Sequence, residues 1–310
     1  MTISCLMVHW LERLVDSKIL PTGASLLEFG PQDIATPRAV VETVARRLLP
    51  RDDADRRIAA IFEGAEARRS SQRDFYGVFG IARYAALDPF DDRADYRYDL
   101  GRFVPMFGRY DVITNFGTAE HVFDIANVFR TAHRLLRPGG ILLNVLPAQG
   151  EVDHGFYNVH PVLFHMMAVH AGYEICDFQY IDDIAWRTEC QNRTPTDRFD
   201  FDGLPLHPAA VTDHDGFRRQ AFDRLVRNVS ARSTDAEAAA PPVFDYCFVA
   251  LRKRAGGRFR PPYQYTERAP VPWANLETLA ATMARRVWRR LRPLARILWR
   301  AGRRIVRGWR

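Results

Sequence analysis

The sequence predicts an α/β protein: a three-layer αβα sandwich about a mostly parallel seven-stranded sheet, followed by a C-terminal amphipathic helix. Three observations lead there. Strand-like and helix-like segments alternate along the chain, the strands are short apolar runs with no solvent face, and polar residues gather where the strands end. With 310 residues, 47% hydrophobic and 26% charged, the chain can bury a sizeable core, and disorder is excluded as its main state.

Apolar residues from Leu6 to Leu20 fall at helical spacing, and Pro21-Thr22-Gly23 closes that helix before a first strand, Ser25–Phe29. Residues 37–49 and 56–69 form two helices, separated at Pro50–Asp53, with Asp55 as the N-cap of the second. Short strands follow at Tyr84–Leu87, ending in Asp88, at Tyr96–Tyr98, ending in Asp99, and at Asp111–Thr114, running into Asn115. A helix over 119–136 stops at Arg137-Pro138-Gly139-Gly140, and the strand Ile141–Leu146 comes next. After a loop to His160, a helix spans Pro161–Ala171. Tyr173–Ile181 and Phe244–Arg252 then form the antiparallel edge of the sheet. The domain is thus 1–254 with a variable insertion at 187–242 carrying a helix near 217–229, a Gly-, Pro- and Arg-rich linker at 255–275, and a basic helix at 276–310.

Charge is unevenly distributed. Only Lys18 and Lys253 are lysines among 44 basic residues, and residues 281–310 hold eleven arginines and no acid. Setting those eleven aside, the formal net charge of +7 becomes −4 for residues 1–280. Cys5, Cys176, Cys190 and Cys247 show no paired spacing, so neither a disulfide framework nor a metal site is expected, and a reducing, cytoplasmic compartment is. Glu12 and Arg13 interrupt the N-terminal segment too early for a secretory signal, and no apolar run reaches the length of a spanning helix.

The chemistry is expected at the carboxyl ends of the strands, where an open parallel sheet binds ligands. Gly30 allows the backbone to turn and approach a ligand closely. Asp88 can accept hydrogen bonds from both hydroxyls of a ribose, and Asp99, one strand further, the exocyclic amine of an adenine. A dinucleotide site would need G-x-G-x-x-G to cradle a pyrophosphate. Here the sequence is Gly30-Pro31-Gln32-Asp33-Ile34-Ala35, with an acid where phosphates would lie. A cationic cofactor without phosphate, S-adenosylmethionine, suits this loop better.

Leu26–Pro31, Leu87-Asp88, Asp99-Leu100, the block from Asn115 to Val122 and Leu136–Gly140 together resemble the ordered motifs of class I S-adenosylmethionine-dependent methyltransferases, a Rossmann-like family. The resemblance covers residues 1–182 and the strand at 244–252. It is nearest to a bacterial group with G-T-x-E-H-V and H-G-F-Y-N-x-H-P blocks, found here at Gly117–Val122 and His154–Pro161. It implies that Glu28 and Gly30 face the methionine end of the cofactor, that Asp88 holds the ribose and Asp99 the adenine, that Pro31 and Leu100 are also among the cofactor-binding residues, and that the backbone around Asn115 and Phe116 lines the methyl-transfer site. The chain departs from the family at Gln32, where a second glycine is usual, and in the length between Gly30 and Asp88.

Methyl transfer from a sulfonium is an in-line displacement, which needs a base only when the acceptor must lose a proton. His121, His154 and His160 are the candidates, each weighed against a purely structural role. The acceptor is expected to be a small molecule or a glycan, including a lipid-linked one, and nucleic acid is disfavoured because no basic groove or aromatic platform marks the body. Two other readings stand beside this: a non-catalytic protein of the same fold whose tail is the working part, and a nicotinamide-dependent oxidoreductase.

On a helical wheel Met283, Val287, Leu291, Leu294, Leu298, Ile305 and Trp309 lie within about 40° of one line, with most arginines away from that stripe. Pro293 kinks or splits the helix. A basic helix with Trp288, Trp299 and Trp309 beside an aliphatic stripe is the composition of a segment lying in the interface of an anionic bilayer. The protein is therefore expected to be peripheral on the inner face of the cell membrane. An acidic partner and a nucleic-acid arm are the competing uses of such a tail.

Overall fold

The computed structural model describes residues 2–63, 67–150, 154–181, 197–202, 245–254 and 259–262. The chain divides into a compact unit, Met1–Tyr265, and a C-terminal stretch, Thr266–Arg310. The predicted helices at 217–229 and 276–310 lie outside the described residues, as do most of the 187–242 insertion and most of the linker.

The elements run in the order β1 (Thr2–Ile3), α1 (Cys5–Asp16), β2 (Ala24–Phe29), β3 (Asp33–Ile34), α2 (Arg38–Leu48), α3 (Arg51–Phe62), α4 (Ala67–Val78), β4 (Ile81–Leu87) and β5 (Tyr110–Phe116). A 3₁₀ turn (Ala119–His121) follows, then α5 (Ile125–Leu135), β6 (Leu136–Gln149), α6 (Val162–His170), β7 (Tyr173–Ile181) and β8 (Asp245–Lys253). The main sheet has the order β4-β2-β5-β6-β8-β7, and β1 pairs with β3 in a separate parallel ribbon. Pairings among β4, β2, β5 and β6 are parallel. Strand β8 runs antiparallel to both β6 and β7.

The period-two alternation of strand side chains divides the core into two faces. Leu26, Val112, Leu143 and Phe248 point towards α1–α4, in one cluster with Trp10, Val44, Ile58 and Phe75. Leu27, Ile113, Leu142 and Val249 point the other way, in one cluster with Val128 and Phe129 of α5 and Phe164 and Met167 of α6. This is the predicted sandwich. Trp10 anchors the first face: its ring lies edge-on to Phe248 at 5.3 Å and its indole N–H donates to Asp177 at 2.7 Å.

The described residues form six strands in the main sheet, not seven. The expected strand at Tyr96–Tyr98 is reduced to a single parallel bridge from Tyr96 to Leu87. Strand β4 ends at Leu87, and the next N–H groups, of Phe90 and Asp91, go to the Asp88 carboxylate at 2.7 and 2.8 Å, which leaves Tyr98 no ladder to join. The last two strands form the antiparallel edge of the sheet, β8 lying between β6 and β7 and alone reversing direction.

Three helix expectations also change. Helix α3 starts at Arg51, with Pro50 in the capping position at φ −55°, where its fixed torsion suits a helix start, while Asp55 pairs with Arg46 at 2.8 Å. Helix α4 was not anticipated. The segment 119–136 breaks after His121, because the Asp124 side chain accepts the N–H of Asn127 at 3.2 Å and caps a new helix there. No helix of the described residues is long and apolar enough to cross a membrane.

Candidate active site

A cleft of about 750 Å³ opens at the carboxyl ends of β2, β4 and β5, a volume typical of small-molecule and cofactor sites. A smaller one, about 350 Å³, lies against α1 and is lined by His9, Glu12, Arg13 and Arg198. The larger is the candidate site, because strand ends of a parallel sheet are where loop amides and helix starts turn towards solvent.

Gly30 forms the floor. Its φ of +73° is favourable only for glycine, and a Cβ there would meet Thr118 Oγ1 at 2.8 Å and come within 3.6 Å of Asp88 Oδ2. Thr118 in turn donates to the Phe29 carbonyl at 2.5 Å, so the loops after β2 and β5 are joined directly beneath the cleft. Gln32 turns inward, donating from Nε2 to the Gly30 carbonyl at 2.8 Å, while its own carbonyl accepts Gln72 Nε2 at 3.0 Å. Its Oε1 is buried, has no protein donor and belongs to a residue lining the cleft.

Asp88 and Asp99 both line the cleft, together with Pro31 and Leu100. Asp88 Oδ1 accepts two backbone N–H groups, Phe90 at 2.7 Å and Asp91 at 2.8 Å, which fixes the carboxylate. Asp99 Oδ1 accepts Gly101 N–H at 2.7 Å. Sequence reasoning missed Arg93. Its guanidinium reaches Asp91, the Pro31 carbonyl at 2.9 Å and Asp33 at 2.5 Å, clamping the loop after β2 to the loop after β4. Asp33 is thereby neutralised rather than left facing a ligand.

Other expected residues stand behind the cleft. Glu28 has no exposed surface and its carboxylate receives the hydroxyls of Tyr76 at 2.7 Å and Tyr84 at 2.5 Å. Burial pushes its pKa up to about 7, against the lowering effect of those two hydroxyls and of the Gln32 backbone. Phe116 is buried against Trp10. Asn115 donates to Asn144 Oδ1 at 3.0 Å and accepts the N–H of Ala119 at 3.0 Å. Neither lines the cleft; Asn115 holds the turn that carries Glu120 and His121.

The two sequence blocks dock on each other. Gly155 rests on Glu120, with a hypothetical Cβ only 3.0 Å from the Glu120 carbonyl, and Phe156 N–H donates to that carbonyl at 2.8 Å. Tyr157 donates to the Phe123 carbonyl at 2.7 Å. The rings of His121 and His154 stand 4.8 Å apart, and His121 lines the cleft. His160 does not join them: its Nδ1 accepts Val162 N–H at 3.2 Å and caps α6. The mouth is aromatic, with Phe90 89% and Phe123 78% exposed, and Phe156 edge-on to Phe123 at 6.0 Å.

Residues 2–190 match a family described as a methyltransferase domain. The chain belongs to that family. No curated protein matches it. Among solved structures, the chain is similar to the N-methyltransferase NodS of Bradyrhizobium japonicum in complex with S-adenosyl-L-homocysteine, at 10% identity and TM-score 0.35, covering 79% of this chain and 85% of that one. A phosphoethanolamine N-methyltransferase of Haemonchus contortus is matched at 16% identity and TM-score 0.38, over 79% of this chain and 53% of that one. The YcgJ protein of Bacillus subtilis is matched at 12% and 0.36, over 80% and 99%. The protein is thus an S-adenosylmethionine-dependent methyltransferase, and the oxidoreductase reading is set aside. The cradle at Gly30 and the acceptors offered by Asp88 and Gln32 Oε1 suit a cationic adenosine cofactor.

Proposed function

We propose that the methyltransferase acts on a small-molecule or glycan acceptor, lipid-linked where it works at the inner face of the cell membrane. The observation that carries this is the exposed aromatic mouth: Phe90 and Phe123 flank the cleft, and aromatic faces stack on sugar rings and shield apolar chains. The arginine-rich segment 281–310 supports the membrane setting.

In this reading Asp88 Oδ2 receives the ribose hydroxyls, Asp99 and Leu100 meet the adenine, and Gly30, Pro31 and Gln32 receive the methionine end, with Glu28 bracing the loop from below. Bound S-adenosylmethionine supplies the electrophilic methyl. The chain's part is to fix the acceptor in line with it and exclude water, which is most of what such a displacement requires. Asn115 and Phe116 position the turn rather than touch the reacting atoms. His121 and His154 mark the acceptor end.

The experiment is to incubate the full chain with methyl-labelled S-adenosylmethionine and fractionated glycolipid and polar cell extracts. Label is expected in a saccharide-bearing or small polar product, with at least a tenfold loss in Asp88→Ala. Label entering only nucleic acid or protein overturns the acceptor class.

A further inference from the structure

We propose that Glu120, His121 and His154 bind a divalent transition-metal ion at the acceptor end of the cleft. One ligand atom from each of the three lies within 4.8 Å of the other two. Glu120 Oε1 is 4.0 Å from His121 Nε2, and the two imidazoles meet at an interplanar angle of 62°. Two imidazoles and a carboxylate are a donor set that favours zinc, iron, manganese or cobalt over magnesium or calcium.

The scaffold accounts for the convergence. Asn115 fixes the start of the Glu120–His121 turn through Ala119 N–H. The strand of chain bearing His154 is fixed from the other side, by Phe156 N–H on the Glu120 carbonyl and by Val159 N–H on the Pro147 carbonyl at 2.6 Å. Gly155 eases this approach, since a Cβ there would lie 3.0 Å from the Glu120 carbonyl oxygen and 3.1 Å from its Cγ, closer than side chains usually pack. Sequence spacing could not disclose the trio, because the histidines come from blocks 33 positions apart.

Ligand atoms around a tetrahedral ion with bonds near 2.1 Å lie about 3.4 Å apart. Closing from 4.8 Å needs movement of little more than an ångström, and His121, 43% exposed in its side chain, and the exposed His154 have room to make it.

Three protein ligands leave coordination positions open, and His121 lines the cleft. There, on the methyltransferase reading, the ion binds an acceptor hydroxyl and lowers its pKa. The hydroxyl proton passes to water and the oxygen forms a bond to the methyl carbon. The carbon–sulfur bond breaks with its electron pair on sulfur, leaving the neutral thioether S-adenosylhomocysteine.

The test is calorimetric titration of the tag-free, chelator-treated full chain with Zn²⁺ and with Mn²⁺, alongside S-adenosylhomocysteine. One ion per chain is expected, weakened at least tenfold in His154→Ala and in Glu120→Gln. His154 is exposed, so its variant folds even where the Glu120 variant does not. S-adenosylhomocysteine binding is expected to survive in His154→Ala. Uptake of no ion, or equal uptake by wild type and His154→Ala, overturns the metal site. If S-adenosylhomocysteine fails to bind while the ion binds in a His154-dependent way, the site stands and the methyl-transfer role of the ion falls instead.

Discussion

Glu28 carries a consequence that can be read on a melting curve. Its folded pKa near 7 lies above the model-compound value of 4.5 because the carboxylate is fully buried. Between those two values the folded chain holds a proton that the unfolded chain has lost, so the stability attached to Glu28 is full below about pH 4.5 and disappears as pH rises through 7. A shift of this size corresponds to about 3 kcal/mol. Glu28→Gln keeps partners for both tyrosine hydroxyls and cannot ionise, so thermal melts should show the variant gaining on wild type from pH 5 to pH 8; parallel curves would show that Glu28 titrates normally. At Asp88 the effect is on binding. Asp88→Asn keeps an oxygen for the Phe90 and Asp91 N–H groups but loses the second carboxylate oxygen, and charged hydrogen bonds of this kind contribute about 1.5–3 kcal/mol. The dissociation constant for S-adenosylhomocysteine, measured by calorimetry, should rise about 10- to 100-fold with little change in melting temperature. Gly30 and Asp88 were legible in the sequence because strand ends and turn residues are local signals. The burial of Glu28 was not, since Tyr76 and Tyr84 come from elements 48 and 56 positions downstream.

Among elements, α5 shows how a distant residue completes a local structure. A helix leaves its last carbonyls without backbone donors. Here Lys253, at the end of β8, inserts its ammonium at that end, donating to the His133 carbonyl at 2.6 Å and the Leu136 carbonyl at 2.9 Å. A cation at a helix C-terminus is also favoured by the helix dipole. Lys253→Met preserves the aliphatic stem and removes both bonds, leaving buried carbonyls unsatisfied, so a loss of about 2–3 kcal/mol in a denaturant titration is expected. An unchanged midpoint would mean that water replaces the ammonium fully. The sequence marked the end of α5 through Arg137-Pro138-Gly139-Gly140 but could not find its partner. Strands β2 and β7 were read almost to the residue, because apolar runs bounded by turn residues are unambiguous. The missed α4 has a polar start, and the lost strand at Tyr96–Tyr98 stops at one bridge because β4 ends at Leu87 and the Asp88 carboxylate takes the N–H groups of Phe90 and Asp91, contacts that no pattern of periodicity encodes.

At the scale of the whole chain, the distribution of charge separates two functions. Residues 1–280 are formally −4, and a cleft in such a body suits a cationic cofactor, while the eleven arginines of 281–310 suit an anionic surface. If that segment is a membrane tether, its two contributions respond differently to salt. Arginine attraction to anionic lipid, about 1 kcal/mol per residue, is screened within a Debye length of roughly 3 Å at 1 M, whereas burial of Trp288, Trp299 and Trp309 is not. The full chain should therefore float with phosphatidylglycerol vesicles at low salt and detach partly at 1 M, down to the level at which it floats with neutral phosphatidylcholine vesicles, where insertion acts alone. A chain ending at Tyr265 should stay in solution throughout and still bind S-adenosylhomocysteine as the full chain does. Equal flotation of the two would remove the tether. Equal turnover of a vesicle-borne acceptor by both would remove its purpose, because a tether acts by raising the local concentration of enzyme over acceptor and leaves the chemistry of the cleft unchanged.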